Sequence, residues 1–311
     1  MAESEPPKVV IVQASDMDAG QRIDNFLFKR LKGVPRTRIY KALRKGEVRV
    51  NGARKKPTYH VIAGDRIRIP PIRYSDTSGE LFIPDRLLDH IPVLYEDDFM
   101  MVVNKPAGLA VHGGTGMEFG LIEALRSLRP ELGYIELVHR LDRETSGCLM
   151  LGKSRLALVA LQAQLSKSGV MRKHYVALVK GKLAQAESVT APLKQVRDSG
   201  RMKKVIVDQD GQTAHTVFQI RQVFADATLA SVELKSGRMH QVRVHAAHIG
   251  HPIAGDRLYG ERAFNQLMKQ YGNTRLFLHA ERLRLQHPET GNIQDYYAPL
   301  PKSLQNVLER L

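Results

Sequence analysis

Residues 139–147 read HRLDRETSG and place one carboxylate, Asp142, between two apolar segments, LVHR before it and CLMLG after it. The apolar segments are typical of strands, and the polar residues between them are typical of a loop. Gly147 would let the chain turn into the second strand. Because Arg140 and Arg143 flank the aspartate, the local pattern fits a structural ion pair as well as a reactive carboxylate.

A second segment, KHYVALVKG at 173–181, alternates in the manner of a strand and places Tyr175 and Ala177 on one face. A tyrosine at such a position is often a core residue whose hydroxyl finds a hydrogen-bond partner. The local pattern therefore leaves the role of Tyr175 open.

A third segment, LKSGRMHQVRVHAAHIGHPIAGDRLYG at 234–260, predicts a strand end followed by a helix that Gly250 and Pro252 terminate. In that helix Val242 and Ala246 have the spacing of a buried face. We expect His245 to lie on another face, with Gln241 and His248, and Arg238 and Arg243 to flank it.

Metal binding by this segment is an alternative, because His245, His248 and His251 are three residues apart. The HExxH pattern of zinc enzymes is absent, and Pro252 distorts the third position. We therefore expect no metal and no other cofactor. The single cysteine, Cys148, excludes an internal disulfide.

The charge of the chain points to a polyanionic partner. Its 311 residues are enough for two packed domains, and the formal net charge is +15. Residues 29–56 contain twelve Lys or Arg and one acid, Glu47. Solvated faces usually mix both signs, so this crowding favours phosphate binding.

Membrane insertion is not expected. The apolar runs are far shorter than the roughly 20 residues of a membrane helix, and residues 1–8 lack the pattern of a signal peptide. We expect a soluble cytoplasmic protein, and a monomer.

The domain organisation follows from the periodic patterns. Residues 1–20 predict a tail with a short strand, 21–69 a small αα-ββ domain, 70–87 a linker and 88–311 a second domain. In the small domain we expect a second helix through Thr37 to Lys45 that ends at Gly46, followed by a hairpin turn at Asn51-Gly52. In the second domain, alternating runs around Phe218 and Val232 predict an α+β fold with a mixed, largely antiparallel sheet flanked by helices and loops.

The segment RIDNFLFKRLKGVPRTRIYKALRKGEVRVNG with the later AGDRIRI resembles the S4-type RNA-binding domain over residues 21–69. The resemblance implies docking on structured RNA through the second helix and the hairpin. On that helix Arg38, Lys41 and Lys45 are spaced to share one face. The basic residues expected to contact RNA here are Arg36, Arg38, Lys41, Arg44, Lys45, Arg54 and Lys55.

HRLDRETSG, KHYVALVKG and LKSGRMHQVRVH together resemble the pseudouridine synthases that modify large-subunit ribosomal RNA. The resemblance covers nearly the whole chain, and it includes LYEDDFMMVVNKPAGLAVHGG at 94–114 and LHAERLRLQHPETG at 278–291. Within that family the chain is most similar to the C type, which implies action at three uridines of 23S ribosomal RNA.

The resemblance also implies roles for individual residues. It makes Asp142 the catalytic aspartate, Tyr175 the ring that stacks on the target uracil, and Arg238 the ion-pair partner of Asp142. Arg140 would help to flip the target base out of the RNA, or would contact a phosphate. Independently of the resemblance, the pattern of the third segment gives Arg243 and His245 as expected RNA contacts.

Two other functions remain open at this point. The same chemistry could act on tRNA or at other ribosomal sites, because the motif determines the reaction better than the target. A non-catalytic S4-type ribosome assembly factor would share the RNA-binding features and would leave every nucleotide unchanged.

Overall fold

The computed structural model describes residues 9–31, 34–72, 85–113, 119–166, 170–197 and 203–311. The chain divides into two compact units, residues 1–82 and residues 83–311.

Unit 1 consists of two helices and a three-stranded antiparallel sheet with the strand order β1-β3-β2. Its elements are β1 (Val10–Gln13), α1 (Ile23–Arg30), α2 (Arg36–Lys45), β2 (Arg49–Val50) and β3 (Arg66–Ile69).

The helical spacing of the apolar residues in unit 1 places one face of each helix in the core. Ile23, Phe26 and Leu27 of α1 are fully buried. At the end of α2, Gly46 takes the left-handed conformation (φ 71°), and its N–H bonds back to the carbonyls of the last turn. The predicted end of this helix is therefore confirmed.

The short strand that was predicted within the first 20 residues is present as β1. Strand β1 pairs with β3 along its whole length, from Val10 opposite Ile69 to Gln13 opposite Arg66. An apolar extended run covers an edge of β3 that would otherwise be open, so this short strand belongs to the sheet of unit 1. Most of the predicted linker, residues 73–84, lies outside the described residues, and a 3-10 helix follows at Asp85–His90.

Unit 2 is built around a ten-stranded sheet and a separate two-stranded hairpin. Its strands are β4 (Val93–Glu96), β5 (Met100–Lys105), β6 (Glu136–Leu137), β7 (Ser146–Gly152), β8 (Arg172–Lys180), β9 (Glu187–Val189), β10 (Leu193–Arg197), β11 (Lys203–Val207), β12 (Thr216–Val223), β13 (Ala227–Leu234), β14 (Leu278–Gln286) and β15 (Ile293–Tyr297).

The large sheet has the order β4-β5-β7-β14-β8-β13-β12-β9, with β6 paired to β7 and β15 paired to β14. The β7–β14 pair is parallel, and the other pairs are antiparallel. The separate hairpin consists of β10 and β11. The prediction of an α+β fold with a mixed, largely antiparallel sheet is confirmed.

Helices cover both faces of the sheet. They are α3 (Leu121–Leu128), α4 (Arg155–Ser166), α5 (Gln241–His248), α6 (Arg262–Gln270) and α7 (Lys302–Leu308). Within the described ranges, each helix is too short or too polar to cross a membrane.

Strand β7 lies in the middle of the core, and every one of its residues is buried. Cys148 and Met150 join a cluster with Leu161 of α4, whereas Leu149 and Leu151 join the larger cluster on the opposite face. A strand covered on both faces must be apolar throughout, which explains the continuous run CLML.

Gly147, the last residue of HRLDRETSG, is required by a close approach of two strands. It has a φ of 113° and pairs with Ala280 of the parallel neighbour β14. A methyl group on its Cα would overlap the carbonyl oxygen of Ala280. The glycine therefore allows β14 to lie against the start of β7.

Gly147→Ala is expected to destabilise unit 2 by about 2 to 5 kcal/mol, because a strained φ and an overpacked contact add. Urea unfolding followed by circular dichroism measures the loss. Gly133→Ala is the matched control, because Gly133 also has a positive φ (60°) but its added methyl meets no described atom within 4 Å. Equal effects of the two changes would show that the contact with Ala280 costs nothing.

Candidate active site

Asp142 lies in the loop between β6 and β7, on the wall of a cleft of about 830 Å³. Its side chain is 25% exposed, so the carboxylate faces the cleft and not the core. Arg140 from the same loop, Tyr175 from β8 and residues 237–243 at the start of α5 also line the cleft. Segments that are far apart in the sequence therefore meet around one carboxylate.

Lys105 holds one side of this loop. It is fully buried, and its ammonium donates hydrogen bonds to the carbonyls of Pro106, Leu109 and Arg143 at 2.8, 2.8 and 3.1 Å. Burial lowers the pKa of Lys105 to about 7. A side chain with three backbone acceptors is a structural support for the loop.

Ser146 holds the other end of the loop. Its hydroxyl accepts a hydrogen bond from Arg275 at 2.8 Å and lies 2.9 Å from Nδ1 of the fully buried His279. The positions on both sides of Asp142 are thus fixed by buried polar contacts, which limits the freedom of the carboxylate.

The positive charge next to Asp142 comes from Arg243 of α5. Its Nη1 donates to Oδ2 of Asp142 at 3.2 Å, while Nε and Nη2 donate to the two oxygens of Asp256 at 2.8 and 2.9 Å. The Arg243 side chain is 10% exposed and that of Asp256 is 1% exposed. The guanidinium is therefore clamped by one carboxylate and presented to the other.

The pKa values of Arg243 and Asp256 reflect two opposing effects, burial and the attraction between their charges. Burial disfavours the charge of Arg243, but hydrogen bonds and attraction to Asp256, and the charge of Asp142, raise its pKa above the ordinary range. Burial would raise the pKa of Asp256, but the hydrogen bonds from Arg243 outweigh it and lower that pKa. Both groups stay charged at neutral pH.

The prediction that Arg238 pairs with Asp142 is wrong. Arg238 lies in the turn before α5 and donates through Nε to the carbonyl of Thr213 at 3.1 Å, with its side chain exposed. Its backbone N–H donates to Oε1 of Gln241 at 3.0 Å. Arg238 still lines the cleft, but Arg243, one turn further along, reaches the carboxylate.

The predicted RNA contact of His245 is contradicted, whereas Arg243 lines the cleft and its contact with RNA stays a prediction. Arg243 is taken up by two carboxylates, and His245 is fully buried with its ring nitrogens 2.9 Å from Thr216 Oγ1 and 2.9 Å from the carbonyl of Ala191. The prediction treated α5 as a surface helix. In the structure the positions from 241 to 246 are all buried, because β11 and β12 pack against α5.

Tyr175 and Arg140 lie where a nucleotide in the cleft could meet them. Tyr175 is 6% exposed, and burial together with the charge of Asp142 raises its pKa, so the phenol stays protonated. Arg140 is exposed. Next to it, His139 accepts a hydrogen bond from the Met150 N–H at 3.2 Å, and burial with the charge of Lys173 lowers its pKa to about 3.

Sequence reasoning missed His240. This residue precedes α5 in the left-handed conformation (φ 53°), and its Nε2 lies 3.9 Å from Oδ2 of Asp142. Nδ1 lies 2.8 Å from the hydroxyl of Tyr259. The only signal in the sequence was the position of His240 between Arg238 and Arg243.

The basic residues of unit 1 differ in their solvent exposure and in whether they have a partner within the unit. Lys41, Arg44, Lys45 and Arg54 are exposed. Two others have partners within the unit, since Arg38 pairs with Glu47 at 2.7 Å and the Lys55 ammonium lies 4.8 Å from the centre of the Tyr59 ring. The side chain of Arg36 lies outside the described part of unit 1.

The histidines considered as metal ligands are separated by their contacts. His245 is buried as described above, and His251 Nδ1 lies 2.7 Å from the carbonyl of Lys180. No group of three or more His, Cys, Asp or Glu among the described residues is arranged to hold a metal ion.

Two family models match the chain. The model for RNA pseudouridylate synthases matches residues 99–248, which include the Asp142 loop, Tyr175, His240 and Arg243. The model for the S4 domain matches residues 21–67 of unit 1.

Similar proteins match along nearly the full length. The chain is 48% identical to ribosomal large subunit pseudouridine synthase C of Escherichia coli K12, over 99% of this chain and 98% of that protein. Its identity to the protein of the same name from Pasteurella multocida is 46%, over 97% and 94% of the two chains. The solved structure of human RNA pseudouridylate synthase domain containing 4 aligns with a TM-score of 0.59 at 26% identity, covering 73% of this chain and 94% of that one. The chain therefore belongs to the RNA pseudouridylate synthase family.

Proposed function

We propose that this enzyme, an isomerase of the pseudouridine synthase family, converts uridine to pseudouridine in 23S ribosomal RNA with Asp142 as its catalytic carboxylate. The observation that carries the proposal is the position of Asp142, which faces a cleft large enough for a nucleotide and has Arg243 3.2 Å from one of its oxygens. Tyr175 and Arg140 line the same cleft.

The reaction requires a charged carboxylate. In this isomerisation the bond from ribose C1′ to uracil N1 breaks, the free base rotates, and a new bond joins C1′ to C5. C5 then loses its proton, and N1 gains a proton. Asp142 can attack C1′, or it can remove the 2′ proton to form a glycal, and a neutral acid could do neither. The guanidinium of Arg243, 3.2 Å from Oδ2 of Asp142, places a positive charge beside the carboxylate that acts in both routes.

Tyr175 is assigned to the base. Its ring can stack on the detached uracil, and its hydroxyl can relay the C5 proton, receiving that proton while it passes its own proton to water. The raised pKa of Tyr175 keeps the phenol protonated before the reaction, so the hydroxyl can act in this step only as a relay that gains one proton and loses another.

Arg140 is assigned to base flipping. A base inside a folded RNA costs a few kcal/mol to expose, and an exposed cation at the mouth of the cleft can occupy the space that the base leaves. A contact with phosphate is the simpler role for the same side chain, and both roles place it against RNA.

The 23S target comes from the full-length relatives, whose names specify the ribosomal large subunit. Pseudouridines in ribosomal RNA and tRNA should be mapped chemically in a strain that lacks the protein and in the same strain carrying it on a plasmid. We expect three uridines of 23S RNA to lose and regain modification. If pseudouridines were lost only from tRNA, the substrate would be tRNA and not 23S RNA. If no pseudouridine were lost from any RNA, the proposal would be contradicted.

Unit 1 is assigned to docking on the same RNA. Replacing Lys41, Arg44 and Lys45 with glutamine should weaken binding and flatten its salt dependence by about 0.7 to 0.9 log unit per lost phosphate contact. Filter binding at several salt concentrations measures both quantities. Modification of a short target RNA at saturating concentration should survive.

Arg38→Gln is the control for this prediction. Because Arg38 is already paired with Glu47, its removal should change the salt dependence less than the loss of any of the three exposed cations. An unchanged salt dependence in the triple variant would show that α2 does not follow the phosphate backbone.

A further inference from the structure

Three groups connect strand β11 to the candidate catalytic carboxylate. The backbone N–H of Val205 donates to the hydroxyl oxygen of Tyr259 at 2.9 Å. The same hydroxyl lies 2.8 Å from Nδ1 of His240, and Nε2 of His240 lies 3.9 Å from Oδ2 of Asp142. These contacts form a line from the backbone of the hairpin to the reactive group.

The direction of the hydrogen bonds along this line can be assigned. The Tyr259 oxygen accepts a hydrogen bond from the Val205 N–H. Burial raises the pKa of Tyr259, so the hydroxyl keeps its own proton. Among the described residues, Nδ1 of His240 is the acceptor within reach of that proton. A ring that accepts at Nδ1 carries its proton at Nε2 when it is neutral.

The backbone supports the same arrangement. His240 adopts φ 53°, which is uncommon for a residue other than glycine, although histidine occurs there more often than most residues do. This conformation directs the ring into the cleft at the start of α5, where Tyr259 packs against it edge-on at 5.5 Å. A strained conformation at a cleft is more common where a side chain must be placed accurately.

We propose that His240 is a positioning residue that presents its Nε2–H to the Oδ2 oxygen of Asp142, and that Tyr259 fixes the tautomer that makes this possible. This inference rests on the proposed function of Asp142. Both described donors, Arg243 and His240, face Oδ2, which leaves Oδ1 to act at the ribose. The distance of 3.9 Å is longer than a hydrogen bond, and we expect it to shorten when RNA fills the cleft.

Burial lowers the pKa of His240, which agrees with a neutral ring at neutral pH. The charges around it oppose one another, because Asp142 and Asp256 favour protonation and Arg243 disfavours it. A neutral donor adds a hydrogen bond to Oδ2 without a second full positive charge beside Arg243.

Two substitutions of His240 separate positioning from a purely structural role. Glutamine can place an amide N–H near the position of Nε2, whereas the shorter asparagine places its amide near Nδ1. Asparagine, however, suits the left-handed backbone better than glutamine does. A structural role therefore favours H240N, and a donor at Nε2 favours H240Q.

We expect single-turnover rates within about fivefold of wild type for H240Q and at least about 30-fold lower for H240N, with RNA affinity unchanged in both. Tyr259→Phe should lower the rate about tenfold. An H240N variant as active as H240Q would overturn the inference. A wild-type protein that forms no pseudouridine would instead overturn the proposed function.

The tautomer can be read without any catalysis. Long-range ¹H–¹⁵N spectra of the full chain with labelled histidine, in which the His240 signals are those missing from H240Q, should show the Nε2–H form at neutral pH. Tyr259→Phe should shift these signals toward the Nδ1–H form. A wild-type ring protonated at Nδ1 would overturn the inference even if the enzyme is active.

Discussion

Asp142→Asn is expected to abolish pseudouridine formation while RNA affinity stays at the wild-type level. Asparagine has nearly the same shape, but its neutral amide can neither attack C1′ nor remove the 2′ proton. We expect the single-turnover rate to fall by at least about 1,000-fold. Release of tritium from RNA that carries [5-³H]uridine measures the rate, and filter binding measures the affinity.

Glu144→Gln is the matched control for this substitution. Glu144 lies in the same loop, and its side chain is 50% exposed and lies 3.5 Å from Nε of Arg143. The same loss of one negative charge there should leave the rate near that of wild type. If Asp142→Asn kept the wild-type rate, the carboxylate would not act at the ribose.

Arg243→Met is expected to damage both stability and activity. The substitution leaves Asp256, which is 1% exposed, without its guanidinium, and it removes the positive charge from Asp142. Breaking a buried pair in this way typically costs about 3 to 5 kcal/mol. We expect a loss of this size in urea unfolding, and a fall of at least about 100-fold in the single-turnover rate.

Arg238→Met tests whether Arg243, and not Arg238 as the sequence predicted, is the charge partner of Asp142. Arg238 is exposed and bonds a backbone carbonyl, so its replacement should leave stability within about 0.5 kcal/mol of wild type. Any effect on RNA should appear as weaker binding. A larger rate loss in Arg238→Met than in a folded Arg243→Met protein would return the role of charge partner to Arg238.

The parts of the fold that sequence predicted well have strong local signals. The end of α2 follows from Gly46, and the buried strand β7 follows from the continuous apolar run after Gly147. The Asp142 loop lies between β6 and β7, because polar residues interrupt two apolar stretches. Each of these features depends on neighbours a few residues away.

The charge partner of Asp142 could not be read in the same way. The apolar residues of α5 predicted one buried face and one exposed face. In the structure, β11 and β12 pack against α5, and all residues from 241 to 246 are buried. Arg243 tolerates this burial because Asp256, 13 residues later, clamps it. Nothing in the local pattern specifies that contact.

The position of His240 depends on the backbone. Its left-handed conformation has no local sequence signal, because glycine and asparagine are the usual residues there. The long-range contact from Tyr259 completes the placement. Burial, φ and two distant partners together define the role we propose.

The most direct measurement of the central claim is a distance in a complex with target RNA. An oligonucleotide with 5-fluorouridine at the modified position should stay in the cleft, because fluorine cannot leave C5 as a proton does. A crystal structure of this complex should show a carboxylate oxygen of Asp142 within about 3.5 Å of ribose C1′ or C2′, and the base against Tyr175. A ribose that lies more than about 6 Å from Asp142, with the base bound elsewhere, would contradict the account.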